Sequence, residues 1–108
     1  MLPYFRRYES WEGGENAYRG GSGPLSVIGS RADDPLFESY IAAAEAHGHR
    51  FTEDYNGARQ EGAGYFQLTA RNGFRCSSAS AYLRAAKRRQ NLKVVTHALT
   101  EQIGRAHV

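Results

Sequence analysis

Cysteine and long apolar runs are scarce in this sequence, and each shortage excludes a class of protein. The single cysteine, Cys76, rules out an internal disulfide and fits a reducing compartment. The longest apolar runs, such as Ile41–Ala44, are far shorter than the roughly 20 residues of a membrane-spanning helix. The first residues, Met1–Arg7, also lack the apolar stretch of a secretory signal. We therefore expect a cytoplasmic protein, and the sequence leaves open whether a longer form associates with a membrane.

Negative charge is scarce in the second half of the chain. Residues 55–108 hold nine Arg or Lys and two Asp or Glu. Residues 1–54 hold five Arg or Lys and nine Asp or Glu. The halves therefore carry net charges of +7 and −4, in keeping with the overall +3. A basic half is compatible with nucleic-acid binding. Solvated faces of different charge on one protein are the more ordinary explanation.

The 108 residues, 41% of them apolar, suit one small domain with a modest core. An amphipathic pattern predicts a short helix over Leu2–Ser10. Five glycines then predict a loop over Trp11–Pro24, and Leu25–Ile28 is a strand candidate.

The clearest helix signal begins after that strand. Asp34 is a typical N-cap, Pro35 suits the first helical position, and Gly48 supplies the stop. The apolar face of this helix comprises Leu36, Phe37, Tyr40, Ile41 and Ala44.

The second half predicts a hairpin, a helix and a strand. Tyr65–Ala70 and Phe74–Cys76 read as strands joined at Asn72-Gly73, a pair typical of a type I′ turn. A helix is expected from Ser77 or Ser78 to about Arg89. Leu92–Ala98 is rich in β-branched and apolar residues, as in the interior strand of an α/β sheet.

The last six residues, Ile103–Val108, match the translation of ATC GGA AGA GCA CAC GTC, one reading frame of a common short-read sequencing adapter. A match of this length is rare by chance. We expect the natural sequence to stop near Gln102 and the tail to be an artefact, which is left out of fold reasoning. A natural C-terminus is the alternative.

Several familiar kinds of site are poorly supported. Gly20, Gly21 and Gly23 precede a strand and lack a following helix, so a turn is favoured over a phosphate loop. The histidines at 47, 49 and 97 lack a metal-ligand spacing, so no metal site is predicted. Helix capping is a better explanation than nucleophilic catalysis for Ser77, Ser78 and Ser80. Cys76 is expected to be a buried small apolar residue and not a reactive thiolate. A cluster of basic residues is best explained as a solvated helix end, where cations complement the helix dipole. It consists of Arg84, Lys87, Arg88, Arg89 and Lys93.

A polar run between residues 54 and 69 is harder to dismiss. Asp54, Tyr55, Asn56 and Gly57 suit a tight turn for local reasons. Further polar groups follow closely and belong to Gln60, Glu61, Gln67 and Thr69. Amides on a strand face that should be half apolar indicate either a ligand wall or a buried hydrogen-bond network. The residues alone do not choose between these two.

Short motifs run in a fixed order through residues 1–102. They are Leu2–Arg7, Gly20-Gly21-x-Gly23-Pro24-Leu25-x-Val27, Asp54–Gly57, Gln60–Gly62, Gly64–Gln67, Thr69, Asn72-Gly73, Arg75, Ser77–Leu83 and Asn91-Leu92-x-Val94. Each motif is weak by itself. In this order and at these spacings the set resembles the glucose–methanol–choline (GMC) oxidoreductases, and among them the bacterial choline dehydrogenases most.

The resemblance implies an FAD-dependent enzyme that oxidises an alcohol carbon by passing hydride to the flavin. It also implies that the chain is an internal α+β fragment, part of a GMC FAD-binding domain and the start of its substrate domain, with a β-hairpin near residues 65–76. The implied substrate is a small, choline-like alcohol, with no nucleic-acid partner. The exact alcohol, the electron acceptor and the oligomeric state stay open.

The resemblance assigns one cofactor contact and no catalytic residue. The family's G-x-G-x-x-G loop and its late catalytic histidine have no counterpart in the chain, so the fragment alone is expected to be inactive. In the family, the residue eight positions after the Leu of the Asn-Leu-x-Val motif meets the adenine of FAD through its backbone, and here it is Thr100. The family usually has Val there, a change that a backbone contact would tolerate.

Two other functions remain open from the residues alone. One is a stand-alone module that binds a small ligand through the polar run. The other is a nucleic-acid adaptor that uses the basic cluster.

Overall fold

The computed structural model of the protein describes residues 1–30, 34–101 and 104. Its elements in chain order are α1 (Leu2–Tyr8), β1 (Glu9–Trp11), β2 (Leu25–Gly29), α2 (Pro35–Ala46), β3 (Gln67–Leu68), β4 (Ala70–Arg71), β5 (Phe74–Arg75), a π-helical turn (Ala79–Leu83) and α3 (Arg84–Ala86). The chain is therefore α+β, as predicted. No described helix has the length and apolar content needed to cross a membrane. Within the tail of the adapter prediction, Ile103 and residues 105–108 lie outside the described residues.

A mixed sheet of three strands, in the order β1-β2-β3, lies at the centre of the described chain. β1 and β2 run parallel, with Ser10 opposite Ser26, and β2 pairs antiparallel with β3 through Ile28 and Leu68. Parallel neighbours need a connection of about a dozen residues or more, which the glycine-rich loop after β1 supplies. The prediction of a helix through Ser10 was too long, because Glu9, Ser10 and Trp11 pair in the sheet.

Helix α2 begins and ends where the local signals place it. The Asp34 carboxylate accepts a hydrogen bond from the backbone N–H of Leu36 at 2.9 Å, which satisfies one of the free donors of the first turn. Pro35 follows at the first helical position. Gly48, with φ of 88°, takes the left-handed conformation that ends the helix.

The predicted hairpin is present, but its first strand is interrupted. Ala70 pairs with Arg75 around a turn in which Asn72 and Gly73 both have positive φ, at 51° and 78°. The expected strand Tyr65–Ala70 divides into β3, which pairs with β2, and β4, which pairs with β5. One continuous strand was therefore the wrong prediction, since the two halves serve different sheets.

Two predictions near the C-terminus were wrong. The helix expected as far as Arg89 is a π-helical turn followed by α3, which ends at Ala86. The strand expected over Leu92–Ala98 is not formed, and these residues are exposed and outside any sheet. An interior strand needs neighbours on both edges, and the described residues provide none.

Little of the described chain is buried. Val27 and Cys76 are the buried apolar side chains, at 8% and 3% exposure. The accessible surface is 9581 Å², against about 6,000 Å² for a folded monomer of this size. The radius of gyration is 18.5 Å, against about 13 Å for a compact domain. The chain therefore exposes surface that a complete domain would bury.

Two glycines allow the loop after β1 to lie against α1. A Cβ at Gly20 would lie 1.8 Å from the carbonyl oxygen of Arg6, and one at Gly23 would lie 2.1 Å from the carbonyl carbon of Tyr8. These glycines are needed for close backbone approach, which agrees with the turn interpretation over the phosphate loop.

We expect Gly20→Ala to destabilise the protein far more than the control Gly14→Ala. The Gly20 variant would force α1 and the loop apart, lowering the free energy of unfolding by at least about 3 kcal/mol. Gly14 has φ of 87° and no atom within 4 Å of an added Cβ, so its variant carries only backbone strain of about 1 to 2 kcal/mol. Urea denaturation measures both losses, and equal losses would contradict the close approach.

Candidate functional site

The most buried large side chain in the described residues is an arginine. Arg19 is 1% exposed and lies in the loop between β1 and β2. The Asn16 side-chain oxygen accepts hydrogen bonds from the backbone N–H groups of Tyr18 and Arg19, at 2.8 and 2.9 Å, and so fixes this turn. The turn brings the guanidinium to Glu9, Asp54 and Gln67.

Glu9 holds one edge of the guanidinium. Arg19 donates from Nε to Oε2 of Glu9 at 2.9 Å and from Nη2 to Oε1 at 2.7 Å, a bidentate charged pair. Glu9 Oε2 also accepts from the backbone N–H of Gly20 at 3.1 Å. The Arg19 guanidinium carbon lies 4.2 Å from the centre of the Trp11 ring, a cation–π contact. Strand β1 therefore supplies both the anion and the aromatic face.

The polar run holds the other edge. Arg19 Nη1 donates to Asp54 Oδ1 and, at 3.0 Å, to Gln67 Oε1. Gln67 Nε2 donates to Asp54 Oδ1 at 2.8 Å, and Asn56 Nδ2 donates to Gln67 Oε1 at 2.9 Å. Tyr55 contributes its hydroxyl oxygen, which accepts from the backbone N–H of Gln67 at 2.9 Å. We call Glu9, Arg19, Asp54, Asn56 and Gln67 the arginine cluster.

The electrostatics of the arginine cluster favour a permanent ion network. Burial lowers the pKa of Arg19, but the hydrogen bonds and charges of Glu9 and Asp54 outweigh it and raise that pKa above its ordinary value. A raised pKa means that the stability from this charge is complete below the unfolded-state value and is lost only as the pH rises through the folded-state value. Arg19 therefore stays charged throughout the usable pH range.

The side chains of the arginine cluster bind mainly one another. In the part of the chain that the structure describes, every buried side-chain nitrogen or oxygen has a hydrogen-bond partner. Glu9 and Asp54 both bind the guanidinium, so either carboxylate would have to break an ion pair with Arg19 before meeting a substrate. The structure therefore favours a hydrogen-bond network over the ligand wall for Asp54, Asn56 and Gln67, with Arg19 buried, Asp54 and Gln67 half-buried and Asn56 exposed.

A cleft of about 380 Å³ borders the arginine cluster. Gln60 and Thr69 line this cleft beside Tyr55, with apolar walls from Leu2 and Phe5. The two predicted polar residues therefore lie near the cluster without joining its hydrogen bonds. The cleft has the size of a small-molecule site, but the charged groups at its base already bind one another.

Other predicted residues lie apart from the cluster. Glu61 lies beside Arg50 and Arg59 in a different and more polar depression. Thr100, the predicted cofactor contact, is exposed and belongs to no helix or strand. Among residues 1–30, 34–101 and 104, no group of His, Cys, Asp and Glu is arranged to hold a metal. Ser77 Oγ accepts from the backbone N–H of Ser80 at 3.3 Å, as capping predicts.

Sequence reasoning missed the centre of the cluster. Arg19 was part of a loop assigned only from its glycines, and Glu9 fell within the helix predicted over Leu2–Ser10. The one available signal was Trp11, a large aromatic residue eight positions before Arg19 in a segment otherwise rich in glycine. The pairing with Asp54 and Gln67 spans 35 and 48 residues, beyond the reach of local patterns.

We expect Arg19→Met to lower the free energy of unfolding by about 3 kcal/mol, because it leaves two partly buried carboxylates without their cation. The matched control is Arg6→Met. Arg6 also pairs with a glutamate, Glu15, at 2.5 Å, but the two side chains are 35% and 60% exposed, so we expect a loss below about 1 kcal/mol. Urea denaturation of both variants measures the free energy of unfolding. Similar losses would show that the buried ion pairs of Arg19 stabilise the protein no more than an exposed pair does.

Comparison with known proteins agrees with the motif order. The chain matches the GMC oxidoreductase family over residues 1–107. It is 45% identical over 104 residues to an oxygen-dependent choline dehydrogenase of Vibrio vulnificus, covering 94% of this chain and 19% of that protein. Proteins of the same name from Brucella ovis and Photobacterium profundum are 45% and 43% identical, over 88% and 94% of this chain. The chain spans only 19% of the length of the Vibrio protein, 17% of the Brucella protein and 18% of the Photobacterium protein. It is thus a fragment by comparison with them, and it belongs to the GMC oxidoreductase family.

Proposed function

We propose that this chain is a segment of an FAD-dependent oxidoreductase that acts on the CH–OH group of a choline-like alcohol and yields the aldehyde. One observation carries the proposal, the 45% identity over 94% of the chain to a protein named oxygen-dependent choline dehydrogenase. The family match over residues 1–107 supports the same class of enzyme. We infer a cytoplasmic location for the enzyme.

In this proposal the described residues position other parts of the enzyme and do not react. FAD, when bound, supplies the acceptor for the hydride that leaves the alcohol carbon. The hydroxyl proton must go to a base, and the carboxylates of the arginine cluster are already engaged with Arg19. The base is therefore expected outside this segment. The arginine cluster would hold β1, β3 and the polar run in one arrangement, at the junction of the substrate and FAD domains.

Thr100 would be this segment's contact with FAD. Thr100 is exposed and belongs to no helix or strand, so its N–H and C=O are not engaged in a helix or a sheet ladder. The chain contains no G-x-G-x-x-G sequence, the loop that holds a dinucleotide pyrophosphate. This segment would therefore supply only the adenine end of the site.

No specific observation favours either alternative function, the small-ligand binding module or the nucleic-acid adaptor. Asp54, Asn56 and Gln67 bind Arg19 and one another, which weakens the case for a binding module built on the polar run. The basic residues near α3 are exposed, as solvated helix ends ordinarily are.

We expect the full-length protein to carry flavin and oxidise choline, and the 108-residue chain to do neither. Flavin absorbance gives the occupancy, and oxygen consumption and aldehyde formation give the activity. Ethanol and glucose serve as control alcohols of different size and charge. Stoichiometric flavin on the isolated chain would contradict the proposal that this segment supplies only the adenine end of the FAD site. Full-length activity on glucose without activity on choline would contradict the substrate.

We expect Thr100→Pro to reduce flavin occupancy of the full-length protein, because proline removes the backbone N–H. Thr100→Val is the matched control and should retain flavin, since it changes only the side chain. Flavin absorbance per protein, measured after gel filtration, compares the two. A loss with Val, or no loss with Pro, would argue against a backbone contact.

A further inference from the structure

An uncharged groove runs along one side of α2. Its volume is about 570 Å³, and α2 lines it with Leu36, Phe37, Tyr40 and Ile41. The opposite wall is the segment 62–66, which contributes the rings of Tyr65 and Phe66. No Asp, Glu, Lys, Arg or His lines it. We call this feature the α2 groove.

The α2 groove exposes side chains that water solvates poorly. Leu36 is 72% exposed, Tyr40 is 67% exposed and Phe66 is 78% exposed. No other described helix or strand packs extensively against α2. The remaining surface of the helix carries Glu38 and Glu45, both exposed. The helix is therefore amphipathic, and its apolar side lacks the cover that such a side normally has.

The extent of exposed surface indicates what covers the groove. The chain exposes 9581 Å², roughly 3,600 Å² more than a folded monomer of its length. A standard interface between two proteins buries about 800 Å² per partner, so pairing two copies would leave most of this excess uncovered. The relatives are much longer, since the chain spans only 19% of the Vibrio vulnificus protein and 17% of the Brucella ovis protein. The rest of such a polypeptide is large enough to cover the excess.

We propose that the α2 groove is an internal docking surface, filled in the full-length protein by an apolar, uncharged segment of the same polypeptide that lies outside these 108 residues. The inference rests on the fragment status that also underlies the proposed function. The groove lining offers rings and branched aliphatic groups and no ionic partner, so burial of apolar surface drives the docking. The side of α2 that carries Glu38 and Glu45 faces water.

The test is cysteine labelling in the full-length protein. Tyr40→Cys and Leu36→Cys place a thiol in the groove, and Ala42→Cys places one on the opposite side of the same helix, between Glu38 and Glu45. Each variant reacts with a maleimide under native conditions and again in guanidinium chloride. Peptide mass spectrometry reads each site separately from Cys76. We expect native labelling of both groove thiols to be slower by at least about tenfold relative to the denatured protein, and Ala42→Cys to label rapidly.

Four outcomes decide the proposal. Protection of the groove thiols in a monomeric sample supports it, and either variant suffices if the other fails to fold. Groove labelling as fast as that of Ala42→Cys overturns it. Protection that appears only with dimer formation at higher protein concentration also overturns it, because the occupant is then a second copy. Protected thiols in a protein without flavin or choline oxidation leave the docking surface supported while the proposed function fails.

Discussion

The described structure depends on one buried positive charge. A guanidinium removed from water is stable only when anions and acceptors surround it, and Arg19 finds them on three separate parts of the chain. Glu9 comes from β1, Asp54 from the polar run and Gln67 from β3. These parts lie far apart in sequence, so satisfying Arg19 requires them to converge. The packed apolar residues are too few to impose that arrangement by themselves.

This constraint changes the meaning of the polar run. Asp54, Asn56 and Gln67 have the chemistry of a ligand site, yet their hydrogen bonds point to Arg19 and to one another. The members of this network hold one another, and loss of a carboxylate or amide leaves the buried Arg19 guanidinium with fewer partners. Such a network makes substitution at each position costly without any of its members touching a substrate. A strong family signature is therefore compatible with a segment that performs no chemistry.

The sequence predicts those elements whose boundaries are set by local interactions. Asp34, Pro35 and Gly48 define α2 through local hydrogen bonds and φ angles, and Asn72-Gly73 defines its hairpin through positive φ. These signals act within a few residues, so they survive in a fragment. The arginine cluster was out of reach, because its partners are separated by up to 48 residues. Of the candidate site, the polar half was identified from residue types, whereas the cation at its centre was not.

The wrong prediction at Leu92–Ala98 and the exposed α2 groove have the same physical origin. A β-strand is stabilised by the ladder on its edges, and an amphipathic helix by the surface beneath its apolar side. Both residue patterns are present here, but the complementary surfaces are not among the described residues. The capped helix forms without its cover because its hydrogen bonds are internal, whereas the strand does not form because its hydrogen bonds must come from a neighbour. The missing strand and the uncovered side of α2 thus share one cause, since each depends on a complementary surface that the described residues do not supply.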